Sequence, residues 1–294
     1  MQSEAPPRLI ALTDRLWIPG RILFSTSIVA LGVANILCSR MEGYHLGPGG
    51  PVIPLLPWLP AVPLLAGVLG VVCASCGMGL LAGRGVLAAR VLAASLAASA
   101  ILTLLPRYLF APGDLALRAG LVETLAIAAI AFLQQGRDAA PLELARASRI
   151  LLGLSIAVFG LNCFLGLDQL AAQFPAWVPA AALWLPLCGG VLILAGLLLM
   201  AGVQQPIVSA LLGCLAALCA VLLLLPAALE ALIVPSASFD PAACSSFLFA
   251  VGLWGGLWTL ARRPVQQQRR STIESSERPV YAGRATGGSL RRPS

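Results

Sequence analysis

RILFSTSIVALG, running from Arg21 to Gly32, returns 128 positions later as RILLGLSIAVFG, from Arg149 to Gly160. Arg21/Arg149, Ile22/Ile150, Leu23/Leu151, Ser27/Ser155, Ile28/Ile156 and Gly32/Gly160 are identical. Past a nine-residue shift the offset becomes 119, and Trp58/Trp177, Pro60/Pro179, Gly70/Gly189, Gly77/Gly196, Ala82/Ala201 and Gly83/Gly202 coincide in order. At offset 120, Leu-Leu-Pro ending at Pro106 meets Leu-Leu-Pro ending at Pro226. Leu and Ala match by chance in any apolar chain, whereas ordered Arg, Trp, Pro and Gly matches mark an internal duplication. The shift falls in MEGYHLGPGG, Met41 to Gly50, which is extra material in the first copy and contains the one His, His45.

Each copy opens an apolar run too long for a strand and apolar on every side. Hydrophobic residues make up 59% of the chain and charged residues 11%, against roughly 25% charged in soluble domains. Too few charges are present to coat a surface facing water. In hydrocarbon all backbone N–H and C=O groups must pair internally, which leaves helices or closed barrels. Barrel strands are about ten residues long with alternating polarity, so these runs are read as helices. The expected spans are 22–38, 60–82, 90–106, 118–134, 150–167, 179–202, 207–232 and 243–261, close to the length that crosses about 30 Å of hydrocarbon. Four helices in each copy return the chain to its starting side. The fold expected is therefore all-α and polytopic, with eight transmembrane helices as two parallel four-helix repeats about an axis along the membrane normal.

Arginine placement orients the bundle. All 19 basic residues are Arg. With the N-terminus inside, only Arg40, Arg107 and Arg118 fall on the outer side, so both termini are expected to be cytoplasmic. The net charge of +7 is thereby assigned to topology and not to nucleic acid. Trp58 and Trp177 precede helices two and six at the outer interface, and Trp17 stands at the inner boundary of helix one. No small-x-small cleavage site follows the first apolar run, so that helix is expected to stay attached. The segments are a cytoplasmic 1–21, a first repeat 22–134, a linker 135–149, a second repeat 150–262 and a basic tail 263–294. The tail is rich in Arg, Ser, Gln and Gly and is expected to be disordered.

The punctuation of each repeat is an opening Arg, a helix with a small residue and Gly, a Pro-containing start to helix two, and a Gly-rich helix ending Ala-Gly before a tight inner turn. In this it resembles the DoxX-like family of four-helix bacterial membrane proteins, in a tandem double form across about residues 20–262. The resemblance implies the bacterial inner membrane and association with membrane redox systems. A non-catalytic subunit or anchor, with a redox protein or a second copy as partner besides the bilayer, is the function expected. The chain departs from the family in helix two, where many members carry an acidic residue and neither Leu64–Cys76 nor Leu183–Ala195 does.

Candidate sites follow from chemistry that is costly in a membrane. Cys73-Ala-Ser-Cys76 sets two thiols one helical turn apart, the spacing used by quinone-linked thiol oxidoreductases. That alternative would bring a quinone as cofactor; otherwise none is expected. The pair lies near the bilayer centre, where low polarity disfavours a thiolate, and its counterparts are Leu192 and Ala195, so packing is the simpler role. Cys38, Cys163, Cys188, Cys214, Cys219 and Cys244 are scattered, form no disulfide framework, and show no ligand spacing; no metal site is expected. Glu123, Glu230 and Asp168 are ionisable residues in or beside apolar helices, with Arg107 and Arg118 at outer helix ends within possible reach of them. Arg21 and Arg149 start helices one and five at the cytoplasmic face, as topological anchors or as headgroup contacts. Gly79/Gly83 and Gly252/Gly256 are expected to be close-packing faces. A small transporter with an apolar substrate between the repeats is the third alternative.

The orientation is testable with single cysteines at Ala5, Ala140 and Ala285 in a cysteine-free background. A membrane-impermeant thiol reagent added from the periplasm should label none of them; labelling of any one refutes the assignment.

Overall fold

The structure is a computed structural model that describes residues 7–38, 62–83, 85–135, 141–171, 181–203, 205–226, 228–229 and 241–261. Among these residues there are helices and turns and no strand. Helix α1 spans Pro7–Cys38, α2 Val62–Leu81 and α3 Gly85–Ser99, which continues through a π turn, Ala100–Leu104, into α4, Leu105–Phe110. Helix α5 is Leu115–Leu133, α6 Leu142–Leu165 and α7 the short Leu167–Ala171. Helix α8 is Ala181–Ala201, α9 Gln205–Cys219 followed by a second π turn, Ala220–Leu224, and α10 Pro241–Leu260.

Six of these stretches are long and apolar enough to cross a membrane: Arg15–Leu37, Gly85–Phe110, Leu115–Leu133, Leu142–Leu165, Ala182–Ala201 and Gln205–Leu224. Gly67–Leu81 and Cys244–Leu260 are apolar and shorter. Large side chains such as Leu87, Leu102, Leu109, Phe110 and Leu187 point outward, a surface suited to hydrocarbon and not to water. The chain is an all-helical integral membrane protein.

Three spans differ from their sequence expectation. Helix α1 starts at Pro7 and not near residue 22, because Arg8, Asp14, Arg15 and Pro19 interrupt the apolar run without stopping the helix. Pro at a first helical position lacks only an N–H that has no partner there anyway. The third run passes Pro106 and ends at Phe110. The fifth ends at Leu165, where Gly166 is the C-cap; Asp168 therefore lies in α7 and does not close α6. Residues 227 and 230–240, in which the expected seventh span ends, lie outside the described residues, as does the tail.

Glycine sets the helix separations. In the α1–α2 seam a Cβ on Gly32 would stand 2.5 Å from the Ala74 nitrogen, and one on Gly70 2.7 Å from the Gly32 oxygen. In the α6–α8 seam a Cβ on Gly160 would stand 2.6 Å from the Gly189 oxygen. Between hydrocarbon-solvated helices the apolar side chains gain little by leaving lipid, so close backbone approach and dispersion hold the seam. Helix α1 is clasped on its other side by α10, where a Cβ on Gly20 would meet Trp258 and the Gly255 oxygen. Gly252 and Gly256 fulfil their expectation, facing Ser27 and Ile127, and Ile130 and Phe24. Gly79 packs against Ala88, but Gly83 is not a packing residue: it is a turn at φ +85°. The interior centres on Phe24, Ile28, Leu92, Ile127, Ile130, Leu152, Leu199 and Leu257, all under 2% exposed.

Irregular backbone recurs at matched positions. Gly202, 119 residues after Gly83, also has a positive φ, +72°, a conformation with little steric cost only for Gly. Arg21 reaches from α1 to this turn, donating from Nε and Nη2 to the Leu80 carbonyl at 3.1 and 2.5 Å. Arg149 lies over Gly202, with Nη1 2.8 Å from where a Cβ would stand. The π turns are 120 residues apart, with Leu105 N–H donating to Ala100 and Leu225 N–H to Ala220. A single residue, Leu105 or Leu225, separates each from a Pro. A proline ring clashes with the carbonyl four residues earlier in an α-helix, and the wider turn relieves that clash.

Substituting Gly83 or Gly202 by Ala should cost about 1–2 kcal/mol for the left-handed conformation. Gly32→Ala and Gly160→Ala should each cost about 1–3 kcal/mol by forcing a seam apart. Unfolding in detergent at graded denaturant measures all four, with Gly85→Ala, which meets open space, as the neutral control.

Candidate functional site

A cavity of about 70 Å³ lies among α1, α2, α3 with its π turn, α5 and α10. Its polar lining is Asn35, Cys73, Ser99, Thr103, Thr124 and Ser245, and the rest is apolar, including Leu69, Leu96, Ile127 and Phe249. It sits toward the helix ends opposite the Arg21–Leu80 contact. Thr103 belongs to the π turn, and its hydroxyl donates to the Ser99 carbonyl at 2.6 Å. The Thr124 hydroxyl donates to the Gly120 carbonyl at 2.8 Å. With both protons committed to backbone, these oxygens can only accept from whatever occupies the space. Water takes roughly 30 Å³ in the liquid, and a cavity of roughly 150 Å³ accommodates benzene. The space therefore suits about two waters and is too small for an aromatic or quinone ring.

The expected CxxC thiols are both buried, Cys73 at 3% and Cys76 at 6% exposure. Cys73 faces the cavity; Cys76 belongs to the packed core with Phe24, Ile28 and Leu80. Glu123 is half-buried on α5, beside the cavity-lining Thr124, and its Oε2 is buried without a hydrogen-bond partner. The Nε of Arg118 is likewise buried and unpartnered. Asp168 is exposed on α7. Arg107 interacts electrostatically with Asp114, a carboxylate absent from the expected set. Pro106 and Pro226 both follow π turns. Trp58, Trp177 and Glu230 lie outside the described residues. Arg21 hydrogen-bonds to the turn after α2, and Arg149 overlies the turn after α8 with its Nε buried and unpartnered.

Asp114 caps α5, its Oδ1 accepting from the Ala116 and Leu117 amides at 2.8 and 3.1 Å. The signal for it was present in Pro112-Gly113-Asp114 ahead of an apolar run. Among the described residues no group of three or more His, Cys, Asp or Glu side chains is arranged to hold a metal ion. Comparison of the chain with protein-family models, curated proteins and solved structures finds no match.

Cys73→Leu, which installs the residue found at the matched position 192, should fill the cavity without lowering the unfolding temperature. A fall of several degrees in a thermal unfolding series would show that the space is not available to a side chain.

Proposed function

We propose that this protein is a DoxX-like subunit of the bacterial inner membrane, built from two parallel four-helix repeats that give eight spans with both termini cytoplasmic. Its role in this reading is to anchor or couple a membrane redox system without catalysing the reaction itself, with a redox protein or a second copy as partner. One observation carries the architecture: the left-handed Gly turns, the π turns before Pro and the Gly–Gly seams recur at the offsets of the sequence repeat. Local devices of three kinds in one order are what duplication of a four-helix unit leaves behind. The redox association rests on the resemblance.

The quinone-linked thiol alternative has one favourable observation, that Cys73 faces a cavity. Against it stand the volume, too small for a quinone ring, and the burial of both thiols. A transporter needs a cleft between the halves, whereas α1 against α10 is packed at glycine contact.

Affinity purification from native membranes should recover a redox protein with the tagged chain. The Cys73→Ala/Cys76→Ala double variant, at normal membrane abundance, should complement a deletion strain, with a packing loss on the order of 1 kcal/mol per site. Normal abundance with lost complementation would transfer the function to the thiols; the absence of any redox partner would remove the anchor reading.

A further inference from the structure

The two copies each set an Arg beside a left-handed Gly turn, and they use it differently. Arg21 donates to the Leu80 carbonyl from Nε and Nη2, and its Nη2 stays 3.8 Å from where a Cβ on Gly83 would stand. The Trp17 ring covers it, with the guanidinium carbon 5.8 Å from the ring centroid. The residue matched to Leu80 is Leu199, whose carbonyl accepts the Gly202 N–H at 3.1 Å, against 3.4 Å for the Gly83 N–H on Leu80. The second turn therefore closes on its own. Nη1, Cζ and Nη2 of Arg149 stand 2.8, 3.0 and 3.2 Å from the place of a Cβ on Gly202, so the face of its guanidinium covers the turn. Its Nε is buried without a hydrogen-bond partner. Two changes between the copies open this place. Carrying the offset of 128 back along α1, Trp17 becomes Ala145 and Ile18 becomes Arg146. The first removes the ring that covers Arg21. The second adds an exposed guanidinium three residues from Arg149, on the same side of α6. Glu143, exposed in the first turn of α6, lies one turn beyond Arg146 and further from Arg149. Leaving a donor of a charged group buried and unsatisfied costs more than leaving a neutral one. The second copy keeps that cost where the first has removed it, and an anionic acceptor is what would remove it.

We infer that Arg149 and Arg146 form a binding site for a phosphate group beside the Gly202 turn, a site that the first copy lacks. A guanidinium offers parallel N–H bonds that match two oxygens of one phosphate. Nε and one Nη of Arg149 make that fork after a rotation of the side chain, which no hydrogen bond from Nε opposes. Arg146 adds positive charge from the exposed side. The phosphate comes from an anionic lipid headgroup or from a free phosphate in solution, and the chemistry of recognition is the same for both. Arg21 takes no part, because its fork is closed on Leu80. The inference does not depend on the redox-partner proposal, and a missing partner would leave it standing.

The test titrates the full chain in detergent with phosphatidylglycerol, with inorganic phosphate, and with diacylglycerol, which has the same chains and no phosphate. Binding is read from the rise in unfolding temperature and from lipid retained in native mass spectrometry. A response to phosphatidylglycerol alone assigns the site to a lipid headgroup, and a response to inorganic phosphate assigns it to phosphate from solution as well; either supports the inference. Arg149→Gln and Arg146→Gln should each weaken binding about tenfold, the loss of one charge-assisted hydrogen bond. Arg149→Lys, which keeps the charge and loses the fork, should weaken it too. Ala145→Trp, which restores the ring of the first copy, should also lower affinity, and Trp17→Ala should leave it unchanged. If Arg149→Gln does not fold, Arg146→Gln and Ala145→Trp decide the matter. No response to either phosphate source would overturn the inference. So would an equal response to diacylglycerol, or affinity unchanged in the Arg146 and Ala145 variants.

Discussion

Within a bilayer no water is at hand to satisfy a backbone group, and every departure from the α-helix must be repaired by the protein itself. The irregular points described here are such repairs. At the end of α2 the Leu80 carbonyl is taken by Arg21 from a different helix. The sharp return between α4 and α5 is closed by the Asp114 carboxylate, which accepts from two otherwise orphaned amides. Ahead of Pro106 and Pro226 the helix widens by a turn in place of breaking.

The repairs also decide where polar chemistry gathers. The first π turn places Thr103 beside Ser99, and the small residue Gly120 on α5 leaves space opposite; the cavity lies between them. Elsewhere the seams close to glycine contact, and no comparable space is left along α1–α2 or α6–α8 at those points. The hydroxyls that remain are tied to carbonyls of their own helix, which makes them tolerable in apolar surroundings and leaves acceptor oxygens facing the void.

Much of this was legible in the sequence because hydrocarbon imposes a simple rule of length and composition. The apolar runs became helices, and the ordered Gly matches fell on close contacts or, at Gly83 and Gly202, on left-handed turns. What was not legible depends on contacts across helices. Arg21 reads as a charged anchor until Leu80 is seen beside it. Leu-Leu-Pro gives no hint that the backbone widens before the ring. Asp114 is readable as a cap from Pro112-Gly113-Asp114 ahead of an apolar run. Helix α1 extends beyond the expected span because apolarity marks a membrane boundary and not the end of a helix.

The clasp of α1 between α2 and α10 has a consequence for biogenesis. The partner of Gly20 and Phe24 is the last of the described helices to leave the ribosome, more than two hundred residues after the surface it covers. Until α10 arrives, a notched face of α1 and the Ile127–Ile130 face of α5 stand open to lipid or to other nascent helices. Chain closure is thus a late event of high sequence separation, the kind whose loop entropy is met before its contacts form. A chain interrupted before Pro241 would keep most of its apolar mass yet lack the element that locks its first helix in place, leaving a membrane-inserted species for quality control to recognise.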